Sequence, residues 1–432
     1  MNNTYETLLE YIDTLPIIDT HEHLHIREEL RETDTDILKE YLLHYFNRDL
    51  LSAGLPKHEY RQVIDHTKPL RERWELVKPF WKMCRHTGYG RALDISVEKL
   101  YGVEGITDNT IEEVNDRFKQ SLVPGTYKKV LKDLCNIEIS LVDNYDELDL
   151  RLPHLGCTPE VFAPAYRIDR LIFPRVLDDI IHYEEVLDME ITSFTHYLEA
   201  CEKAVSTAFE NGAPVLKCGI AYERSLFFDR YTFSEAEQAF SAILATKHIP
   251  ETRIRSINAG KALQDYVLHT IMDLVNRKRG RIQFHTGLQE GSGNMLTNSD
   301  PTLLSNLFLE YPNVVFDLFH ISYPFQQRAG SLAKNFPNVF LDMCWSHIIS
   351  PAASQQTLYE WLDVVPYSKI SAFGGDYRII DAVYGHAHLA KQDVAKTLAT
   401  KVDNGIFGIE EAKGIAKSLF YDNPKRILVP NL

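Results

Sequence analysis

The chain has 432 residues, of which 44% are hydrophobic and 25% are charged, so it can bury a large core and is not an intrinsically disordered sequence. Its 46 Lys and Arg residues against 61 Asp and Glu residues give a net charge of −15. Such an acidic surface repels the phosphates of nucleic acids and of anionic lipids, which argues against both as partners and leaves a small-molecule substrate.

The N-terminal segment and the cysteines bear on location. Residues 1–15 contain acidic residues and no basic, apolar leader pattern, so we do not expect a signal peptide. No apolar run approaches the length of a membrane span. The six cysteines are scattered without a C-x-x-C pair, which fits a reducing compartment and predicts a cytoplasmic protein. The sequence leaves the oligomeric state open, a homo-oligomer included.

Short apolar runs rich in β-branched residues alternate with longer segments of helical periodicity. Strand and helix in alternation predict a parallel sheet, and eight such units favour a (β/α)8 TIM barrel, with a doubly wound sheet as the alternative. The predicted strands are 15–23, 135–144, 160–169, 213–222, 281–287, 313–320, 338–345 and 369–377.

One interval departs from this alternation. Residues 27–134 are rich in Leu, Lys, Arg, Glu and Tyr, and we interpret them as a mostly helical insertion between strands one and two. The insertion accounts for a chain much longer than the roughly 250 residues of a typical barrel. No linker composition marks a second domain, so residues 1–432 are expected to form a single domain.

Residues with metal or proton chemistry stand at the predicted strand ends. His21 and His23 end strand one, His285 ends strand five, His320 ends strand six and Asp376 ends strand eight. The carboxyl ends of all barrel strands open on one face, so these side chains are expected to converge. Residues i and i+2 of a strand point to the same side, so the first two histidines can bind one ion.

Further candidates lie beside these positions. Lys217 stands inside the apolar strand four, where a charge is costly to bury. It can be carbamylated and bridge two metals, contact a substrate carboxylate, or extend to solvent, and the sequence does not choose. Arg224 and Arg378 can bind an anionic group bidentately, although a surface ion pair explains each equally well. Trp345 and Tyr222, near the ends of strands seven and four, are predicted to contact the substrate.

A second His-x-His pattern serves as a comparison. His386 and His388 lie in a segment of helical periodicity, where residues i and i+2 point in different directions. We therefore predict that they do not chelate a metal together.

The motifs "DTHEH", "FHTG", "FHISYP" and "GGDY" resemble those of the amidohydrolase superfamily, most of all its amidohydrolase-2 group in the nodulin/FluG-type branch. This resemblance implies a (β/α)8 barrel with one or two divalent ions, Zn²⁺ being expected and Mn²⁺ or Fe²⁺ the alternatives. It also implies that Lys217 stands where some members carry a carboxylated, metal-bridging lysine. The metal ligands that it implies are His21, His23, His285, His320 and Asp376.

The sequence favours a metal-dependent hydrolase, in which metal-activated water attacks an amide, ester or lactone of a small, carboxylate-bearing substrate. Asp376 would take the proton of that water and His320 would stabilise the oxyanion. A decarboxylase and a uronate isomerase-like aldose–ketose isomerase are the alternatives; "CWSH" and the chain length resemble uronate isomerases, whereas His285 counts against them. A non-catalytic scaffold is disfavoured, because clustered buried polar groups are costly to keep without a use.

Overall fold

The computed structural model describes residues 3–144, 146–245 and 257–431. Within these residues eight strands form one sheet in the order β1 to β8, and the pairs β1–β2 and β3 through β7 are parallel. Together with the surrounding helices this confirms the predicted (β/α)8 barrel. The strands are β1 Ile17–Glu22, β2 Ile137–Val142, β3 Phe162–Arg167, β4 Val215–Cys218, β5 Arg281–Phe284, β6 Val315–Leu318, β7 Val339–Asp342 and β8 Ile370–Ser371.

The last strand is bonded back to the first. Thr20 N donates to Phe373 O (3.1 Å) and Asp376 N donates to His21 O (2.8 Å), as closure of a barrel requires. Regular β structure nevertheless ends at Ser371, earlier than predicted. Gly374 explains part of the change, because a Cβ there would lie 2.5 Å from Thr20 Oγ1 and only glycine allows so close an approach.

Helices alternate with the strands and also fill the interval between β1 and β2. Their starts follow local sequence signals: Thr232 and Glu235 form a capping box at α11, for example. Among the described residues the α-helices are α1 Asn3–Asp13, α2 Ile37–Leu43, α3 Phe46–Ser52, α4 Lys57–Val63, α5 Leu70–Cys84, α6 Gly88–Ser96, α7 Ile111–Ser121, α8 Asp169–Ile172, α9 Leu177–Leu187, α10 Phe194–Glu210, α11 Phe233–Leu244, α12 Ile257–Lys278, α13 Ser305–Glu310, α14 Gln326–Asn335, α15 Ser346–Ile349, α16 Pro351–Val364, α17 Ile380–Asp403, α18 Ile409–Lys417 and α19 Asn423–Leu428.

Helices α2 to α7 occupy the predicted insertion at 27–134. Buried polar contacts hold this region together. Asp36 caps α2 by accepting from Lys39 N (3.1 Å) and also pairs with the buried Arg73 of α5. The Tyr41 hydroxyl of α2 donates to Asp381 of α17 (3.1 Å), so the insertion is bonded to the helix that follows the last strand.

The chain divides into two compact units. The first contains Met1–Asn144, Glu290–Asn294 and Asp342–Lys425, and therefore β1, β2, β8 and the insertion helices. The second contains Tyr145–Gln289, Met295–Leu341 and Arg426–Leu432, and therefore β3 to β6 and most of β7. All six residues of β1 are buried, as in the core strands of a barrel. In the described part of the chain, no helix is long and apolar enough to cross a membrane.

Candidate metal and catalytic site

Strand β1 carries an extra residue where its functional side chains begin. Asp19 pairs with Ser140 and Glu22 with Val142, so three steps along β1 match two along β2, which is the count of a β-bulge. After the bulge the imidazoles of His21 and His23 lie edge to face, with ring centroids 4.8 Å apart. The Glu22 carboxyl turns instead to the segment after β8, where it accepts from Tyr377 N (2.8 Å).

Four side chains of the first unit meet at this point, and we call His21, His23, Asp143 and Asp376 the β1 cluster. His21 Nε2 lies 3.7 Å from Asp143 Oδ2 and 3.8 Å from Asp376 Oδ1, and His23 Nε2 lies 3.1 Å from Asp376 Oδ1. Ligand atoms of His21, His23 and Asp143 all lie within 4.8 Å of one another. Imidazole and carboxylate at such spacing are a donor set suited to Zn²⁺ or a similar divalent ion.

The hydrogen bond of His23 directs its other ring nitrogen toward Asp376. Its Nδ1 lies 2.6 Å from the carbonyl oxygen of Asp143, so Nδ1 carries the proton and donates it. In the neutral ring Nε2 is then a lone pair that faces the Asp376 carboxylate at 3.1 Å. Two acceptors at that distance repel unless a metal ion or a proton lies between them, so the geometry fits a bound metal.

Two further carboxyls are buried beside the cluster on β1. Burial is the main reason that the pKa of Asp19 rises to about 6, although hydrogen bonds from Gly375 N and the Ser140 hydroxyl oppose the rise. Burial and then the neighbouring Asp19 raise the pKa of Glu22 well above its usual range. Both shifts have the same main cause, which is the removal of the two carboxyls from water.

His285 and His320, from β5 and β6 in the second unit, contact each other. His320 Nε2 lies 3.0 Å from His285 Nδ1, and His285 Nε2 lies 2.8 Å from Leu288 O. Both ring nitrogens of His285 thus have protein partners, and the Tyr222 ring packs on its face at 4.7 Å. Their predicted part in the same metal centre remains a prediction from the fold.

Lys217 and Arg224 are both buried in the second unit. Lys217 Nζ lies 3.8 Å above the Phe319 ring, a cation–π contact that favours its charged form. The Arg224 guanidinium pairs with Asp265 and donates to Gln264 Oε1 (3.1 Å) and Phe227 O (2.6 Å). Because its nitrogens are bonded to protein acceptors, the structure favours a structural role for Arg224 over the predicted contact with substrate.

Aromatic and cationic residues of the first unit lie near His23. The buried Trp345 stacks on Tyr45 of the insertion, with centroids 4.7 Å apart. Arg378 is exposed just after Tyr377. Burial, and then nearby positive charge that includes Arg378 and Arg48, lower the pKa of His44 well below its usual range.

Sequence reasoning missed four of these residues. Asp143 is the first acid after β2, so the rule that identified the other strand-end residues could have identified it. His44, Tyr45 and Arg48 lie in the insertion within "HYFNR", and their only signal is a polar and aromatic cluster in helices of otherwise ordinary pattern.

Three of the predicted residues have an uncommon backbone conformation. The φ angles are +66° at His320, +63° at Trp345 and +57° at Asp376, in the left-handed region that favours glycine. Each residue follows the end of its own strand, β6, β7 or β8, so the turn at each strand end sets the direction of the side chain.

The second His-x-His pair lies on α17, as predicted. The buried His386 donates from Nδ1 to Gly375 O (2.9 Å), whereas His388 contacts Gln392 (3.1 Å). The two imidazoles thus have separate hydrogen-bond partners, and that they do not chelate a metal together stays a prediction.

Comparisons with known proteins agree with this fold. The Amidohydro_2 model, described as amidohydrolase, matches residues 258–428. The protein FluG of Emericella nidulans is 25% identical over 75% of this chain, which spans 38% of the FluG length. A uronate isomerase of Thermotoga neapolitana is 21% identical over 99% of this chain and 97% of its own.

Solved structures give the same result. A uronate isomerase from Thermotoga maritima superposes with a TM-score of 0.82 at 16% identity, over 99% of this chain and 98% of its own. A glucuronate isomerase from Caulobacter crescentus has a TM-score of 0.78 at 18% identity, over 99% and 94% of the two chains. At these identities the superposition shows the fold alone. In its motifs and its relatives the chain is similar to the amidohydrolase superfamily and to the uronate isomerases, and it shares the barrel fold of the solved uronate isomerases.

Proposed function

We propose that the protein is a metal-dependent aldose–ketose isomerase that acts on a uronic acid. The observation that carries the proposal is the end-to-end match to uronate isomerases, which covers 99% of this chain and 97% of the Thermotoga neapolitana enzyme. The FluG match covers only 38% of that protein. The relatives therefore support the isomerase more than the hydrolase that the sequence motifs favour.

The contacts of His285 remove an objection to this proposal. A histidine after β5 counts against an isomerase only if it is a metal ligand. Its Nε2 lies 2.8 Å from Leu288 O and its Nδ1 lies 3.0 Å from His320 Nε2, so protein atoms already occupy both nitrogens. We infer that His285 fixes the orientation of His320 and does not bind the metal.

The β1 cluster supplies the residues that would hold the ion: His21 and His23, with carboxylate from Asp143 or Asp376. When bound, a divalent ion would polarise the oxygens on C1 and C2 of the sugar and lower the pKa of the C2 hydrogen. Conversion of aldose to ketose moves a proton from C2 to C1 and one from O2 to O1, with no net gain or loss of atoms. We assign this proton transfer to Asp376, whose carboxylate lies beside the proposed metal ligand His23, with Oδ1 3.1 Å from Nε2.

A cationic residue close to Asp376 in sequence fits the carboxylate of a uronic acid. Arg378 follows Asp376 by two residues and is exposed, so its guanidinium is available to bind a carboxylate bidentately. Arg48 lies in the same unit, but its guanidinium already donates to Glu290 Oε1 (3.1 Å), so we assign the substrate carboxylate to Arg378. A neutral aldose lacks the carboxylate that Arg378 would recognise, so we expect a strong preference for the acid sugar.

The test is an assay of the metal-loaded protein with D-glucuronate and D-galacturonate, measuring the keto-sugar formed. The controls are the parent neutral aldoses, the chelator-treated protein, and N-acyl amino acids and lactones as hydrolase substrates. Formation of a ketose from either uronate, with at least about tenfold lower activity on the neutral sugars, supports the proposal. Hydrolysis of an amide or lactone without any ketose would contradict it and restore the hydrolase prediction.

A further inference from the structure

Strand β1 accepts the hydrogen bonds of the backbone amides around Asp376, in the segment after β8. Its three successive backbone amides all donate to β1, two of them to buried side-chain carboxyls. The bonds are Gly375 N to Asp19 Oδ1 (3.0 Å), Asp376 N to His21 O (2.8 Å) and Tyr377 N to Glu22 Oε2 (2.8 Å).

The Glu22 carboxyl also fills the space above Gly375. A Cβ on Gly375 would lie 1.7 Å from Glu22 Oε1 and 2.7 Å from Glu22 Cδ, and its three nearest atoms all belong to that carboxyl. A side chain at this position would therefore meet the Glu22 carboxyl first, and glycine allows the two residues to pack this closely.

Asp376 needs such support, because its φ of +57° is a conformation that a non-glycine residue rarely adopts without restraint. Hydrogen bonds to the residues on both sides of Asp376 restrain this conformation. Glu22 accepts from Tyr377 N, and Asp19 accepts from Gly375 N. A small rotation of this segment would carry the carboxylate away from His23, whose Nε2 lies only 3.1 Å from Asp376 Oδ1.

We propose that Glu22 is a positioning residue that orients the Asp376 carboxylate toward His21 and His23 by holding Tyr377 N and packing on Gly375. His21 and His23 would then bind the metal, and Glu22, which lies between them in sequence, would orient the Asp376 carboxylate. This inference rests on the proposed function, since it takes Asp376 to work in the metal centre.

The experiment compares Glu22→Ala, Glu22→Gln, Gly375→Ala and the Glu22→Ala/Gly375→Ala double variant, with Ser96→Ala as a control. Ser96 is buried and donates to Asp381 O (2.7 Å), so its loss costs a comparable hydrogen bond away from Asp376. The measurements are the Kd for Zn²⁺ by chelator competition, the spectrum of the Co²⁺-loaded protein, kcat and KM on uronate, and the Tm.

We expect Glu22→Ala to weaken metal binding by about 10- to 100-fold and to change the Co²⁺ spectrum, as is usual when a residue that orients a ligand is lost. Glu22→Gln keeps an acceptor for Tyr377 N and should bind metal like the parent protein. Gly375→Ala should weaken metal binding and change the Co²⁺ spectrum to about the same extent as the single variant Glu22→Ala. In the double variant the added methyl meets no carboxyl, so it should be no worse than Glu22→Ala.

Parent-like metal affinity and Co²⁺ spectrum in Glu22→Ala, or additive losses in the double variant, would overturn the proposal. An equal loss of metal affinity in Ser96→Ala would also overturn the proposal, since it would show that any loss of stability weakens metal binding. If Glu22→Ala does not fold, the contrast between Gly375→Ala and Glu22→Gln decides: equal metal affinity in both refutes the proposal. Metal affinity does not depend on the substrate, so a failure of the uronate assay leaves this test intact.

Discussion

His386 should make the protein less stable in acid. Its ring is fully buried on α17, and burial is the main cause that lowers its pKa from 6.5 to about 3. Burial keeps the ring neutral in the folded state, although the bond from Nδ1 to Gly375 O acts in the opposite direction, whereas the unfolded chain binds a proton below about pH 6.5. The unfolding free energy is therefore unaffected by His386 above about pH 6.5, and it decreases as the pH falls from there toward 3.

The magnitude follows from the two pKa values. Each pH unit between them is worth about 1.4 kcal/mol, so at about pH 5 the unfolding free energy should be about 2 kcal/mol lower than at neutral pH because of His386. The assay is urea unfolding of the metal-free protein from about pH 7 to pH 4.5, because acid also releases bound metal.

The matched variant is His386→Asn, whose side-chain amide can replace the Nδ1–H donor without titrating in this range. We expect it to lose about 2 kcal/mol less than the parent protein over the same interval. If the two unfolding free energies fall in parallel with pH, His386 does not contribute and the argument from burial is wrong.

Three other predictions concern the proposed site. Asp376→Asn should lower kcat by about 10²- to 10⁴-fold with little change in Tm, and near-normal turnover would remove Asp376 from proton transfer. His21→Ala combined with His23→Ala should abolish bound metal in elemental analysis while circular dichroism stays unchanged; full metal content would refute the assignment. Arg378→Ala should raise KM for uronate by about 10- to 100-fold, and Arg378→Lys should recover only part of that loss; equal KM values would exclude a carboxylate contact.

The fold was largely predictable because its signal is local and repeated. Each strand of the barrel is a short apolar run, and every predicted run contains an observed strand. The ends of the strands were harder to predict, as at β8, where 369–377 was expected and Ile370–Ser371 is observed. The hydrophobic pattern cannot predict that Gly374 lies against Thr20, because this close approach involves residues far apart in sequence.

Sequence position predicted that His21 and His23 lie together at the end of β1, and the structure places their rings 4.8 Å apart, whereas their role as metal ligands stays a prediction. Arg224 shows the limit of that reasoning. Its position after β4 suggests a ligand contact, yet Asp265, forty-one residues later, accepts a hydrogen bond from its guanidinium. Such partners are brought together by tertiary packing, and the sequence next to the arginine does not indicate them. For the same reason the role of Glu22 becomes visible only with Gly375 and Tyr377 beside it.

The left-handed residues at the strand ends have a consequence for engineering. His320, Trp345 and Asp376 each hold a backbone conformation that costs a non-glycine residue about 1 kcal/mol or more. Glycine would relieve that strain but would delete the imidazole, the indole or the carboxylate. If the three side chains act as predicted, mutant libraries selected only for heat resistance would favour variants that have lost activity at these positions. A screen for thermostable variants should therefore measure turnover in the same round.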